Sequence, residues 1–145
     1  MDEDAEIPTI VVGVDGSEPS IEALVQAQNL AVALGADVIA LSSWDYPPVY
    51  EGYVAMGIDD FDIKAGEILK GALVKAFGEE TPVNIEARLV QGHPRHNLIE
   101  ASKAADMLVV GRRGHGGFAG LLLGSVSSAC VAHAHCPVLV VHAPE

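Results

Sequence analysis

The sequence predicts a single α/β domain, a doubly wound parallel sheet covered by helices on both faces. Five short runs rich in Val, Ile and Leu alternate with segments whose apolar residues recur at helical spacing. Near-continuous apolar strands are typical of parallel sheets that are buried on both faces and joined by helical crossovers. The chain of 145 residues fits one domain, 1–145, and 50% of its residues are apolar, which is enough to bury a core.

The elements follow one another as strand, turn and helix. The first strand ends in Asp15-Gly16-Ser17, where Ser17 is a typical N-cap and Pro19 fits a first helical turn. Gly35 then predicts the C-terminal stop of that helix. The same cycle repeats along the chain. The predicted strands are 7–14, 38–43, 83–90, 107–110 and 138–142, and the later helices are 61–77, the residues after His93-Pro94, and 125–135.

Residues 44–60 interrupt this alternation. They contain Pro47-Pro48 with several aromatic and acidic residues and no clear periodicity. A loop of this length is either a lid over a ligand or an ordinary surface connection, and both interpretations stay open at this point.

The charge is unevenly distributed. The chain carries a net charge of −12, and residues 1–106 hold 19 acidic and 6 basic residues, whereas residues 107–145 hold Arg112 and Arg113 against Glu145. Nucleic acids and anionic membranes bind through basic patches, so neither is an expected partner of this acidic chain. The loss of acidic residues near the C-terminus reflects either a core-rich segment or a place for an anion.

The sequence also predicts a cytoplasmic protein. The acidic first residues lack the layout of a signal peptide, and no apolar run reaches the roughly 18 residues of a membrane span. Cys130 and Cys136 have no metal-binding spacing, so we expect two reduced, buried thiols.

Two turns are candidates for ligand binding, because ligands of open α/β sheets lie outside the carboxyl ends of the strands. One is the turn at Asp15 after the first strand. The other follows the fourth strand and has six glycines between Gly111 and Gly124. Glycine lets main-chain amides approach an anion, and the helix predicted to start at Ser125 adds unpaired amides and a favourable dipole. This segment predicts a phosphate site, with the hydroxyls of Ser125 and Ser127 as further donors.

Missing motifs exclude a P-loop NTPase and argue against two other known kinds of site. No lysine follows Lys103, so the chain has no Walker A loop. The first turn lacks the G-x-G-x-x-G pattern of dinucleotide-binding folds, and no G-x-S-x-G nucleophile elbow is present. His115 is the one histidine whose loop position suggests ligand contact, and Asp15 is the sole candidate for positioning a metal in phosphoryl transfer.

The glycine spacing resembles that of a known family. Gly111-x-x-Gly114, followed after nine residues by Gly124-Ser125, is similar to the G-2x-G-9x-G-S/T signature of the ATP-binding branch of the universal stress proteins. The strand ending in Val14-Asp15-Gly16-Ser17 and the closing Cys136-Pro137 strand look like the same family. The resemblance covers residues 8–143 and implies a sheet of order 3-2-1-4-5.

The resemblance also implies where a nucleotide lies. Val14 and Asp15 would border the adenosine, and the backbone of Ser43 would recognise adenine. The other positions surround the ribose and phosphates at the end of the fourth strand and the start of the next helix. They are Val110, Gly111, Arg113, Gly114, Gly124, Ser125, Val126 and Ser127.

Asp15, and Arg112 next to Arg113, each keep two interpretations. Asp15 either reaches the ribose or a metal-bound water, or caps the following helix. Arg112 stands where the family often has a small polar residue, and its side chain either contacts phosphate or, as we favour, points to solvent.

The resulting hypothesis is a regulatory or sensory module that binds ATP with Mg²⁺ and hydrolyses it slowly at most. The alternatives are a module for AMP or a cyclic nucleotide, and a true ATPase or phosphotransferase. A homodimer is expected through the last strand, which begins at Val138 and ends at His142, because an apolar edge strand invites antiparallel pairing with a second copy.

Overall fold

The computed structural model describes residues 7–46, 52, 60–113 and 123–143. Within these ranges the chain alternates strictly between strands and helices. The strands are β1 (Thr9–Gly13), β2 (Asp37–Trp44), β3 (Ile85–Gln91), β4 (Met107–Gly111) and β5 (Val138–Val141). The helices are α1 (Glu18–Leu34), α2 (Phe61–Phe77), α3 (Pro94–Ser102) and α4 (Ser125–His133).

The five strands form one parallel sheet of order β3-β2-β1-β4-β5. The predicted fold class and strand order are therefore confirmed. The chain moves from β1 outward to β3 and then returns to β4 on the other side of β1. The carboxyl ends of β1 and β4 thus flank the point where strand order reverses, which is where open α/β sheets bind their ligands.

Two hydrophobic cores cover the two faces of the sheet. Ile10 and Val12 of β1 point to one face and pack with α1 and α2, where Leu24 is fully buried. Val11 points to the other face and packs with α3 and α4 around Leu98 and Cys130. Because successive side chains of a strand alternate in direction, one apolar run supplies both cores.

Helix α1 begins and ends at the predicted residues. Ser17 is its N-cap and accepts a hydrogen bond from the Ser20 amide, and Gly35 ends it in the left-handed conformation at φ 69°. Glycine reaches this conformation without the steric cost of a Cβ atom.

Five predicted boundaries were too long, two of them by a single residue at a strand end. β1 ends at Gly13 instead of residue 14, and β5 ends at Val141 instead of residue 142. β1 starts at Thr9 instead of residue 7. β3 starts at Ile85 instead of residue 83, because the Ile85 amide bonds to the Pro82 carbonyl in a turn. Helix α4 stops at His133, since Ala134 is extended and the His135 amide donates to the hydroxyl of Ser102.

The segment proposed as a possible lid lies mostly outside the described residues. Aromatic rings join its first described residues to the start of α2. The Tyr46 ring packs edge-on against Trp44, with centroids 5.3 Å apart, and against Phe61 at 5.9 Å. None of the helices in the described ranges is both long and apolar enough to cross a membrane.

Candidate functional site

The turn after β1 is closed by its own side chains. A carboxylate oxygen of Asp15 accepts hydrogen bonds from the amide and the hydroxyl of Ser17, the amide bond being 2.9 Å long. The Ser17 hydroxyl oxygen accepts from the Ser20 amide, and the Ser20 hydroxyl donates back to the Ser17 carbonyl. Ser17, and not Asp15, is the N-cap of α1. Asp15 holds Ser17 through these bonds and is exposed at the carboxyl edge.

Val14 lies between this turn and β2. Its amide donates to the Leu41 carbonyl at 2.9 Å, and its carbonyl accepts from the Ser42 hydroxyl at 2.7 Å. Its side chain is 5% exposed. Both polar groups of the Val14 backbone thus bind β2. A ligand at this position would therefore meet Val14 through van der Waals contact.

The carboxyl end of β2 is held from helix α3. Ser43 is half-buried there, and its hydroxyl oxygen accepts a hydrogen bond from the amide nitrogen of Asn97 at 3.0 Å. The same nitrogen lies 3.4 Å from the carbonyl oxygen of Val90 on β3. One buried amide therefore joins α3 to the ends of two strands.

The end of β4 packs directly on the start of α1. A Cβ atom at Gly111 would lie 2.7 Å from Pro19 Cβ and 2.8 Å from the Pro19 carbonyl carbon. No side chain fits in that space without moving the backbone. The preceding residue, Val110, is 3% exposed and belongs to the core beneath α3 and α4. Gly111 therefore has a packing reason to be glycine, besides any contact with a ligand.

The glycine-rich segment is closed at its base. The carbonyl of Arg112 accepts from the Gly124 amide at 2.8 Å and from the Ser127 hydroxyl at 2.7 Å, and the Arg112 amide donates to the Val141 carbonyl at 2.7 Å. The start of α4 is thus tied to the end of β4. Arg113 follows this base, while Gly114, His115 and residues 116–122 lie outside the described residues.

Helix α4 begins without a side-chain cap. Its N-cap is Gly124, and its first internal bond runs from the Ser128 amide to the Gly124 carbonyl. Helix geometry leaves the amides of Ser125, Val126 and Ser127 without an acceptor inside the helix. No acidic residue stands in this first turn. The helix dipole and these donors together favour an anion.

The two predicted serine hydroxyls of α4 lie in different surroundings. Ser125 is exposed at the helix start. Ser127 is 3% exposed, and its hydroxyl hydrogen is engaged by the Arg112 carbonyl. Of the two, Ser125 remains the predicted hydroxyl donor to a phosphate, and Ser127 holds the base of the segment.

Both cysteines are free thiols. Burial raises the pKa of Cys130 to about 11, with a smaller contribution from Cys136. Burial, and then the carboxylate of Asp106, raise the pKa of Cys136. The thiolate is the reactive form of cysteine, so neither thiol is a nucleophile near neutral pH. Cys130 is buried as predicted, whereas Cys136 is only partly buried.

A profile of the universal stress protein family matches residues 6–142. A universal stress protein of Methanocaldococcus jannaschii is 38% identical over 143 residues, which cover 94% of this chain and 82% of that protein. The chain belongs to the universal stress protein family.

Solved universal stress proteins share the fold. UspA from Lactobacillus plantarum has a TM-score of 0.76 at 25% identity, covering 95% of this chain and 99% of that one. A universal stress protein solved in complex with cAMP has a TM-score of 0.62 at 31% identity, covering 97% of this chain and 100% of that one. Other relatives, from mycobacteria, are longer, and the chain spans about half of their length.

Within this universal stress protein domain, the structure gathers most of the predicted site residues at one edge. Val14 and Asp15 directly follow β1, and Ser43 is the last residue but one of β2. Val110 and Gly111 end β4, and Arg113 follows two residues later. Gly124 to Ser127 begin α4 beside them. Whether these residues contact a ligand stays a prediction, and Gly114 lies outside the described residues.

Sequence reasoning missed Asn97 and the close packing of Gly111 on Pro19. A signal for Asn97 was present, because this amide shares the buried face of α3 with Leu98, and a buried amide needs a partner. The partner, Ser43, is 54 positions away and was not visible in the pattern. Nothing local in the sequence indicated that Pro19 packs on Gly111.

Proposed function

We propose that this universal stress protein binds ATP together with Mg²⁺ and acts as a cytoplasmic regulatory or sensory module that hydrolyses ATP slowly at most. One observation carries the proposal. The glycine-capped start of α4 is tied by the Arg112 carbonyl to the end of β4, where strand order reverses. A helix start with unused amides at this point of an α/β sheet is suited to phosphate.

A relative supports the nucleotide class. The universal stress protein that is 31% identical to this chain was solved in complex with cAMP, an adenine nucleotide. The finer assignment to ATP rests on the spacing Gly111-x-x-Gly114 followed by Gly124-Ser125. A triphosphate needs more donors than a monophosphate, and the long glycine-rich segment between these residues has the composition to supply them.

The charge distribution supports an anion at this edge. The chain carries −12 overall, yet Glu145 is the one acidic residue after Asp106. An ATP bound here would meet the α4 amides, the hydroxyl of Ser125 and the side chain of Arg113, each charge-assisted bond contributing about 1.5–3 kcal/mol.

A magnesium ion fits the donor chemistry of the site. Mg²⁺ prefers oxygen ligands and usually binds through carboxylates, waters and substrate phosphates. Asp15 places a carboxylate at the carboxyl edge, and it is held there by its bonds to Ser17. When bound, the ion would neutralise phosphate charge.

Slow hydrolysis follows from the groups at this edge. The carboxylate of Asp15 already accepts two hydrogen bonds from Ser17, which lowers its ability to activate water. The hydroxyl hydrogen of Ser127 is engaged by the Arg112 carbonyl. These contacts support the proposal of nucleotide binding with slow hydrolysis at most.

Titration calorimetry tests the proposal. We expect Mg²⁺-ATP to bind the wild-type chain more tightly than AMP or cAMP, and Gly124→Val to lose this binding, since its side chain would occupy the start of α4. Gly66→Ala is the matched control, because a Cβ atom at Gly66 on α2 would meet Leu89 Cδ2 at 3.8 Å, an ordinary van der Waals contact.

Each other result has a defined meaning. Absence of heat with all three nucleotides would refute nucleotide binding, and unchanged affinity of Gly124→Val would refute the placement. A cyclic nucleotide that binds more tightly than ATP would favour the second candidate, a cAMP-binding module, which the solved cAMP complex motivates. Many turnovers of ATP by pure protein would identify a true ATPase.

The proposal includes a homodimer through the last strand. β5 ends the sheet on one side, Leu139 on it is 37% exposed, and His142 follows the strand instead of ending it. An apolar edge strand pairs readily with another copy, and a lysine on the edge opposes this. Light scattering should give the mass of two chains for the wild type and of one for Leu139→Lys. A wild-type mass of one chain at micromolar concentration would contradict the dimer.

A further inference from the structure

Strand β3 forms the edge of the sheet that lies farthest from β5. Among the described residues it pairs with β2 alone. It is seven residues long, whereas β5 at the other edge has four. Most of its residues are exposed, and Leu89 keeps 36% of its surface accessible. β3 therefore presents a longer and more open edge than β5 does.

The main-chain groups of β3 are divided between its two sides. The Gly92 amide donates to the Trp44 carbonyl at 2.8 Å, and the Asn84 carbonyl accepts from β2 at 2.8 Å. Even-numbered residues thus direct their main-chain groups at β2. Because successive residues of a strand alternate, Ala87 and Leu89 direct their amides and carbonyls to the open side. Such groups along a sheet edge are a template for another strand.

The side chains of β3 differ between its two faces. Ile85 packs against the core beneath α1 and α2, and Leu89 lies on the same face, 3.8 Å from the Cβ position of Gly66 on α2. Glu86 and Arg88 lie on the opposite face, because side chains alternate along a strand. There the Arg88 Nε donates to the Glu86 carboxylate at 2.8 Å, and both side chains are exposed. One face of this edge is apolar, and the other carries one acid and one base.

This pattern is complementary to itself. In an antiparallel pair with its twofold axis at Ala87, each Glu86 would lie opposite the Arg88 of the other copy. On the apolar face, Ile85 would lie opposite Leu89. Opposite charges across two strands stabilise a pair, and like charges destabilise it. A twofold axis at Glu86 or at Arg88 would place like charges opposite each other, so the charges select the register at Ala87.

The main chain suits the same register. Ala87 directs both of its main-chain groups to the open side, so two copies would exchange an amide and a carbonyl there. The Leu89 amide would donate to the Ile85 carbonyl of the other copy. The Ile85 amide is already engaged by the Pro82 carbonyl at 3.1 Å, which closes the turn before β3. Side chains and main chain therefore favour one and the same pairing.

Apolar surface beside the edge would be covered as well. Ile63 stands three positions before Gly66 and therefore on the same side of α2. It is 60% exposed. A second strand placed along β3 would shield both Ile63 and Leu89 from water, which favours association.

We propose that β3 is a binding surface for a second copy of this chain, which pairs with it antiparallel about a twofold axis at Ala87. This seam lies at the opposite edge of the sheet from the dimer proposed through β5, and it needs no nucleotide. A seam of two strands buries less than the roughly 1,200 Å² of a standard interface, so its association is weak. We expect a dissociation constant between about 0.1 and about 1 mM.

Reversal of one charge tests the register. Leu139→Lys is the starting protein, because it blocks pairing through β5 and leaves β3 available. Added to it, Glu86→Lys would set a lysine opposite Arg88 on both halves of the seam. The exchange of Glu86→Arg with Arg88→Glu restores opposite charges in reversed order. Glu100→Lys is the matched control, because Glu100 forms an exposed ion pair with Lys103 at 3.1 Å at the end of α3.

Sedimentation equilibrium from about 10 μM to about 1 mM measures the association. Leu139→Lys should rise from the mass of one chain to that of two, and Glu100→Lys should leave this rise unchanged. Glu86→Lys should raise the dissociation constant at least about tenfold, which corresponds to about 1.4 kcal/mol. The charge-exchanged variant should associate as the starting protein does.

The other outcomes overturn the inference. A Leu139→Lys protein that stays one chain at about 1 mM has no such seam. An unchanged dissociation constant in Glu86→Lys, or no recovery in the charge-exchanged variant, would mean that Glu86 and Arg88 serve only as an ion pair within one chain. A wild type of one chain at micromolar concentration contradicts the β5 dimer alone. In that case, or if circular dichroism shows that Leu139→Lys does not fold, the same variants are compared in the wild-type background, and an unchanged association there overturns the inference.

Discussion

The two connections at the carboxyl edge, the β1–α1 turn and the β4–α4 segment, begin their helices in opposite ways. The first uses side chains, since the Ser17 hydroxyl oxygen accepts from the Ser20 amide and Asp15 accepts from Ser17. The second uses a main-chain carbonyl, that of Arg112, which accepts from Gly124 at the N-cap of α4. A serine caps one helix, and a glycine without a side chain caps the other.

The difference separates a helix start that is closed by side chains from one that is not. A side chain that caps a helix occupies the donors that an anion would use. A glycine cap leaves those donors for a ligand, at some cost in helix stability. Both helices start at the same edge of the sheet, so the N-cap residue indicates which start is structural and which is suited to phosphate.

The contact between the two connections has the largest expected effect on stability. Gly111→Ala would place a Cβ atom within 2.8 Å of the Pro19 backbone, which cannot rotate away as a side chain can. Overpacking of this kind costs about 1–3 kcal/mol. Urea denaturation should therefore show a lower free energy of unfolding for Gly111→Ala.

A matched glycine checks this reason. The Cβ position of Gly71 has open space around it, and alanine is a better helix former than glycine. Gly71→Ala should be neutral or stabilising by up to about 1 kcal/mol. Equal stability of Gly111→Ala and the wild type would mean that the two connections are not packed as tightly as the distances indicate.

Removing the serine cap of α1 and adding one to α4 tests the contrast between the two helix starts. Ser17→Ala removes the cap of α1 and should lower the free energy of unfolding by about 1 kcal/mol. Gly124→Ser gives α4 a side-chain cap, which should keep or raise stability while competing with a phosphate for the first-turn amides. Denaturation and ATP calorimetry on both variants should thus show stability lost in Ser17→Ala and affinity lost in Gly124→Ser. A Gly124→Ser variant that binds ATP as the wild type does would contradict the role given to the glycine cap.

Local features of the fold were predictable from the sequence. Helix α2 covers Phe61–Phe77 as its apolar spacing predicted, and α1 has the predicted caps, Ser17 and Gly35. Capping and periodicity depend on neighbours within a few positions, so the sequence carries them directly. The boundary at Ile85 was missed because the apolar run continues through a turn, which only a main-chain bond to Pro82 reveals.

The candidate site likewise has a part that local sequence predicted and a part that depends on long-range contacts. The start of α4 at Gly124 and Ser125 was predicted from local sequence, and so was the turn at Asp15. The bond between Asn97 and Ser43 spans 54 positions, and the contact between Gly111 and Pro19 joins the end of β4 to the start of α1. Such contacts depend on how α3 and α1 pack on the sheet, and no local pattern specifies them.

An effect confined to alkaline pH concerns α4, whose buried face carries the thiol of Cys130. Burial raises the pKa of Cys130 from its usual value of 9.0 to about 11, so the unfolded chain loses this proton before the folded chain does. The folded state is therefore favoured fully below pH 9, and this contribution is lost as the pH rises from about 9 to about 11.

Urea denaturation between pH 8 and pH 11, read by circular dichroism, measures this loss. The wild type should lose stability across the window, and Cys130→Ala should lose less, because it has no thiol to ionise on the buried face of α4. Cys136→Ala is the matched control, since its thiol is only partly buried and should remove a smaller part of the slope. An identical fall of the free energy of unfolding with pH in the wild type and Cys130→Ala would contradict this reason. It would mean that ionisation of the Cys130 thiol does not destabilise the folded state.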